Sequence, residues 1–411
     1  MRLAPRRRWF VTRAAAVAAI ALAAAAALDV LVDPYGVFGT PTIDGVNAVK
    51  PRPDVMVADI KALVGKRARP DALILGNSRA EIGLDPAHLA FAARSERTYN
   101  AAVPGSGIDR AVATLADFTA VHPVRLAVVG VDFLDFPTAP DARASAAAAN
   151  DPWAALRTRV LAALSISAVR DSLKTLWLAR QRDPATLRAD GFNPLLDYRG
   201  IARKDGYRVL FVERAQRSAE MLARLPHNLY AGGTGESPAY ADLRRLLRVA
   251  RDAGTDVRIV LYPYHLLLML QIDDAGLWPL VEQWKADVAS IADDARRQGT
   301  QVVVWDFTCP DERTGEPVPA PGDVATAMRW YWEGGHFKRE LGDLMLDRAL
   351  GAPEPAATGD RDGFGALLTP ATVAARNGAC RAALADARRR LPDLAALAAT
   401  LNERSLKSAM R

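Results

Sequence analysis

Ala72-Leu73-Ile74-Leu75-Gly76-Asn77-Ser78-Arg79 decides the fold. Its apolar run reads as a short strand ending at Gly76, where the missing side chain lets the chain turn sharply. Ser78 stands directly after that turn. The same grammar recurs downstream. A helix is expected across Pro86 to Ala93, a strand over Thr98 to Val103 and a helix over Ile108 to Val121. Val124 to Val131 reads as a third strand, apolar on both faces after Arg125, as buried parallel strands are. Farther on, Ala239 to Ala253 spaces Leu243, Leu246, Leu247 and Ala250 at helical intervals and stops at Gly254. Val257 to Tyr262 is the fourth strand, Trp278 to Arg297 an amphipathic helix ending before Gly299, and Gln301 to Trp305 the fifth strand. Strands alternating with helices predict an α/β fold built on a parallel sheet.

Residues 137–235 interrupt that rhythm. An Ala-rich stretch near Ala144 to Ala149 and a helix around Trp153 to Gln181 read as an insertion in an α/β domain spanning 33–350. From 351 to 411 a Gly/Pro/Asp linker leads into a helical tail, Thr372 to Leu406, which carries no chemical motif.

The N-terminal end has a separate logic. Arg2, Arg6, Arg7, Arg8 and Arg13 precede an uncharged apolar run, Ala14 to Leu28. Asp29 interrupts it, and Val30 to Val32 extend it. A positive flank followed by an apolar run holds the N-terminus in the cytoplasm and sends the remainder across the membrane. Residues 1–32 are therefore expected to anchor the chain in the inner membrane as a single pass, with the body in the periplasm. A signal peptide cleaved to release a secreted body is the alternative. Without those five arginines the chain carries 48 basic and 47 acidic residues, so the body has no nucleic-acid footprint. Cys309 and Cys380 are the only cysteines. The Cys and His residues form no metal-site pattern, and whether the two cysteines pair is open.

In parallel α/β sheets chemistry gathers in loops beyond the carboxyl ends of the strands. Ser78 follows the first strand, Asn100 to Gly107 the second, Asp132 the third and His265 the fourth. Asp306 closes the fifth, and Glu333-Gly334-Gly335-His336 lies in the loop after it. An early Ser with a late acid three residues before a His suits acyl transfer: the His takes the Ser proton, and the carboxylate orients the imidazole.

With these blocks in order, the chain resembles the SGNH (GDSL-like) hydrolase superfamily over about residues 70–350, the insertion excepted. Gly76-Asn77-Ser78 is similar to its Gly-Asp-Ser turn, Asn100 to Gly105 to its oxyanion glycine block, and Gly130-Val131-Asp132 in part to its Gly-x-Asn-Asp. Glu333-x-x-His336 is similar to its Asp-x-x-His. The resemblance is closest to membrane-anchored envelope members, which share Asp33-Pro34-Tyr35-Gly36 after the anchor and the Gly-x-Ser-Arg turn. It implies a flavodoxin-like three-layer α/β/α sandwich with a helical insertion and tail. It also implies a serine esterase or O-acyltransferase acting, without cofactor, on acyl esters, acetyl above all, of a cell-envelope polysaccharide. Several such members work beside a multi-spanning membrane acyltransferase. Ser78 would be the nucleophile, His336 the base and acid, Glu333 the orienter with Asp306 as substitute, and the Ser78 and Gly105 N–H groups the oxyanion donors. The family's third-block Asn donates to the oxyanion, which an ionised Asp132 cannot do. That departure leaves room for a non-catalytic glycan-binding or docking subunit.

Four further readings stay open on the residues. His265 lines a substrate pocket or is a satisfied structural histidine. Arg79 binds an anionic substrate or pairs with Glu81 or Asp109. Trp330, Tyr331 and Trp332 stack on sugar rings or pack the core. Ser78 itself, without catalysis, would cap the helix that follows it.

Overall fold

A computed structural model describes residues 5–139, 141, 153–232, 237–351 and 364–409. The Ala-rich stretch 144–149 and most of the 351–363 linker lie outside these residues. The chain divides into two compact units, residues 1–67 with 150–189, and 68–149 with 190–411.

The second unit is α/β. Its strands are β1 (Ala72–Leu75), β2 (Thr98–Asn100), β3 (Leu126–Val131), β4 (Asp256–Leu261), β5 (Val302–Asp306), β6 (Tyr331–Glu333), β7 (His336–Phe337) and β8 (Ala366–Leu367). The main sheet runs β2-β1-β3-β4-β5-β8, parallel except for β8, which pairs antiparallel with β5. β1 and β3 are buried at every residue, which their unbroken apolar sequence requires, since helices cover both faces of such a sheet. The step from β1 to β2 runs one way along the sheet and the step from β2 to β3 runs back. Right-handed crossovers then put Ser78–Gly83 on one face and Ile108–Thr119, Pro238–Ala253 and Trp278–Arg297 on the other. The same reversal makes the carboxyl ends of β1 and β3 a topological switch point.

Several boundaries differ from the sequence reading. The helix expected over Pro86 to Ala93 is only Leu89–Ala92, and a separate short helix, Ser78–Gly83, precedes it. The insertion 137–235 splits: 150–189 belongs to the first unit and 190–235 to the α/β unit. The tail is two helices, Val373–Arg390 and Pro392–Ala409. They are fastened to the core by the Cys309–Cys380 disulfide, with Cα atoms 4.8 Å apart, and by the Arg376–Asp306 ion pair at 2.9 Å.

The first unit holds the helix Pro5–Val32 and the helices Ala154–Leu164 and Ile166–Leu178. Over Trp9–Val32 the N-terminal helix has a mean hydropathy of 2.4 in its most apolar window. It is long and apolar enough to cross a membrane, as a signal sequence also is. The Asp33-Pro34-Tyr35-Gly36 turn ends it. The Asp33 carboxylate accepts from the N–H groups of Phe38, Gly39 and Thr40, and Tyr35 Oη donates to Asp171 at 2.8 Å. Within this unit, that motif locks the chain's exit from the helix.

Candidate active site

The β1 turn presents the serine. Gly76 sits at φ +140°, and a Cβ there would lie 2.4 Å from the Tyr262 hydroxyl and 3.1 Å from Gly130 O. Only glycine fits both the conformation and the space. Asn77 caps the following helix, its side chain accepting from Arg79 N at 3.0 Å. Ser78 is therefore the first helical residue and not the cap. Its own N–H has no acceptor inside the helix.

The His and the acid arrive on a hairpin. β6 and β7 pair Glu333 directly with His336 across the two-residue Gly334-Gly335 turn, which is the physical content of the E-x-x-H spacing. Ser78 Oγ lies 2.8 Å from His336 Nε2, and His336 Nδ1 is hydrogen-bonded to Glu333 Oε1. The second Glu333 oxygen accepts from Gly335 N at 2.7 Å. Burial alone would raise the Glu333 carboxyl, but His336, the Gly335 N–H and Arg79 bring it below its ordinary value. A buried carboxylate therefore faces Nδ1, and Nε2 is left to accept the serine proton.

A second network joins the serine turn to the histidine hairpin. Arg79 Nε donates to Gly335 O at 2.7 Å, and its Nη1 pairs with Asp132 Oδ2. The same oxygen accepts from Asn77 Nδ2 at 2.8 Å. The other Asp132 oxygen accepts from Tyr264 Oη and from Leu134 N, the latter at 3.1 Å. Asp132 is 2% exposed, and its partners are all donors, as an ionised acid wants. Arg79 thus pairs with neither Glu81 nor Asp109, and Asp132 offers no N–H to an oxyanion.

Gly105 lies in the loop after β2, at φ +70° and exposed to solvent. That loop is tied to the serine turn by Val103 N donating to Gly76 O at 2.9 Å. His265 belongs elsewhere. It is wholly buried, with Nδ1 accepting from Leu267 N at 3.1 Å and Nε2 bonded to Glu316 O at 2.7 Å. Burial pushes its pKa down to about 4. It is a helix cap, not a pocket residue.

Asp306 is also committed. Burial disfavours its charge, yet Lys285 and Arg376 hold the carboxyl down to about 2, and Thr308 supplies both an N–H and a hydroxyl. With Cys309 and Cys380 it forms a compact buried group, but two cations already neutralise it and the sulfurs are bonded to each other. Trp330, Tyr331 and Trp332 are buried. Trp332 packs on Tyr198 and Tyr207, and Lys338 lies 4.5 Å above its ring.

The residues missed from sequence are Asn77, as a donor to Asp132, and Tyr264. Tyr264 stands one residue before the histidine that drew notice. The signal was its place after β4, the strand beside β3 and Asp132. No family model, curated protein or solved structure matches the chain.

Proposed function

We propose that this chain is a serine esterase or O-acyltransferase, with Ser78 as nucleophile, His336 as general base and acid and Glu333 as orienter. The observation that carries it is the Ser78–His336–Glu333 relay, continuous from Oγ through both ring nitrogens to a buried carboxylate. Three side chains from two distant stretches meet in the order that acyl transfer requires. His336 accepts the Ser78 proton as Oγ attacks an ester carbonyl. It returns that proton to the departing alcohol, leaving an acyl-Ser78 that water or a sugar hydroxyl then takes up. The Ser78 and Gly105 N–H groups serve the oxyanion.

The strand order β2-β1-β3-β4-β5 is that of flavodoxin-like folds. Together with the four blocks it supports membership of the SGNH superfamily. Two of the positions that depart from the family pattern exchange residue types, Asn at 77 and Asp at 132, and they are bonded to each other. The apolar N-terminal helix supports a single-pass inner-membrane protein with a periplasmic body. The substrate is then an acyl, above all acetyl, ester of an envelope polysaccharide, with a multi-spanning acyltransferase as candidate partner.

The engagement of Asp132 by Arg79, Tyr264 and Asn77 favours a second reading, a non-catalytic glycan-binding or docking subunit, because one oxyanion donor is missing. Such a loss costs about 2.7–4 kcal/mol in the transition state. The test is acetate release from an activated acetyl ester by the full chain in detergent, together with labelling by a serine-directed phosphonate. Hydrolysis and labelling that both vanish in Ser78→Ala establish the enzyme. A folded wild type that neither hydrolyses the ester nor takes the label leaves the docking reading.

A further inference from the structure

The helices Ala154–Leu164 and Ile166–Leu178 are patterned inside out. Apart from Leu178 at the end of the second helix, their buried positions are small or polar: Thr158, Ala162, Ala168, Asp171, Ser172 and Thr175. Their large apolar side chains point outward, among them Leu156, Val160, Leu164, Ile166, Leu173 and Trp177, with Ile166 90% exposed. A water-facing hairpin does the reverse. Small residues between helices with large apolar residues outside is the arrangement of helices packed in lipid.

The place of the hairpin gives the occupant. It packs on the helix Pro5–Val32, whose covered residues fall in its last two turns, from Ala25 to Val32. Ser172 donates to Asp29 at 2.7 Å, which accounts for an acid inside an otherwise apolar run. At 1.5 Å per residue these turns span roughly 10 Å of depth at the end of the apolar stretch. Leu31, on the outer side of the same turns, is 69% exposed. The hairpin's apolar face therefore continues the surface of the N-terminal helix where that helix reaches the headgroups.

Charge and length agree. No charged residue occurs from Val160 to Val169, around the Ser165 turn, and Arg157, Arg159, Arg170 and Lys174 flank that tip. Basic side chains flanking an apolar segment suit anionic headgroups and snorkel readily. Helices of 11 and 13 residues are about 16 and 20 Å long, too short to cross a hydrocarbon core of roughly 30 Å. They can enter one leaflet.

We propose that the hairpin Ala154–Leu178 is a second membrane contact, its outward apolar face seated in the interfacial layer of the leaflet where the helix Pro5–Val32 ends. The proposal rests on that helix being a retained anchor, and the experiment separates the two. The native cysteines are bonded to each other, so single nitroxide labels can be placed at Ala18→Cys, Leu164→Cys and Ile166→Cys in the full chain. The labelled proteins are reconstituted into vesicles of phosphatidylcholine with phosphatidylglycerol. Power saturation with oxygen and with a water-soluble nickel chelate then reports lipid against water.

Oxygen-rich, nickel-poor signals at all three positions are expected. Ala18 in lipid with Leu164 and Ile166 as nickel-accessible as free nitroxide in buffer overturns the hairpin contact and leaves the anchor standing. Nickel access at Ala18 removes the anchor and the proposal together. Strong dipolar broadening at Ile166 shows a second copy in place of lipid and also overturns it.

Discussion

At the scale of single residues, the triad and its supporting ion pair make different predictions. Glu333 holds His336 through Nδ1, and Asp306 is no substitute, since it is spent on Lys285 and Arg376. Glu333→Gln keeps the shape and removes the charge and the tautomer preference. Loss of about 10⁴-fold in kcat for acetyl ester hydrolysis is expected, with Tm little changed. Asp132→Asn would restore the residue type of the SGNH third block, yet it strips the buried Arg79 of its carboxylate. Breaking such a pair costs roughly 3–5 kcal/mol, so urea unfolding shifts to lower midpoint and hydrolysis falls. A gain in hydrolysis from Asp132→Asn would show that position 132 limits the oxyanion hole and is no strut. Ser78, Glu333 and His336 were legible in the sequence because each follows a readable strand or sits at hairpin spacing. The roles of Arg79, Asp132 and His265 were not, because each depends on partners more than 50 residues away.

At the scale of elements, the proposed catalysis depends on two helices that touch through glycine. Ser78 opens Ser78–Gly83, and His336 precedes Arg339–Leu350 by three residues. A Cβ on Gly342 would lie 1.7 Å from Gly83 O, so the two backbones are in contact. Gly342→Ala must push the helices apart, at roughly 1–3 kcal/mol for overpacking. Because the serine and histidine ride on either side of that contact, a fall in kcat of about 10²-fold accompanies the loss in Tm. Gly378 is the control: it is exposed in the helix Val373–Arg390 with nothing within 4 Å of an added Cβ. Gly378→Ala is expected to raise stability by up to about 1 kcal/mol and leave hydrolysis unchanged. β1, β3 and β5 were readable because their apolar runs are unbroken, and β4 is interrupted after Val257 only by Arg258. β6, β7 and β8, of two or three residues each, carry too little pattern to read. The helix expected over Trp153 to Gln181 breaks at Ser165, which caps the second half through Ala168 N. The reading of 137–235 as one insertion failed at 150–189, because a broken strand–helix rhythm marks an interruption but not which unit its parts join.

At the scale of the whole molecule, the protonation of the buried interior sets the acid limit of stability. His265 is neutral in the fold, with its Nδ1 lone pair receiving the Leu267 N–H, and burial holds its pKa at about 4 against an ordinary 6.5. Between those values the unfolded chain binds a proton that the native chain does not, so stability rises with pH there and is lost as pH falls from 6.5 toward 4. The shift corresponds to an upper limit of about 3 kcal/mol. Asp306 works in a lower window. Its carboxyl, held at about 2 by Lys285 and Arg376 against an ordinary 3.8, contributes stability that is lost only as pH falls from 3.8 toward 2. Asp135 and Asp343, their carboxyls pushed up by burial to about 8 and about 7, titrate across the same range with the opposite sign, so unfolding midpoints in urea, measured every half unit from pH 7 to 4, report His265 as the difference between wild type and a variant. His265→Asn isolates it, because Asn also caps a helix and does not titrate. The variant is expected to flatten the slope by about one proton between pH 4 and 6.5. An unchanged slope would mean that His265 is protonated in the fold, with the Leu267 N–H bonded elsewhere, and the acid limit would then lie with the carboxylates.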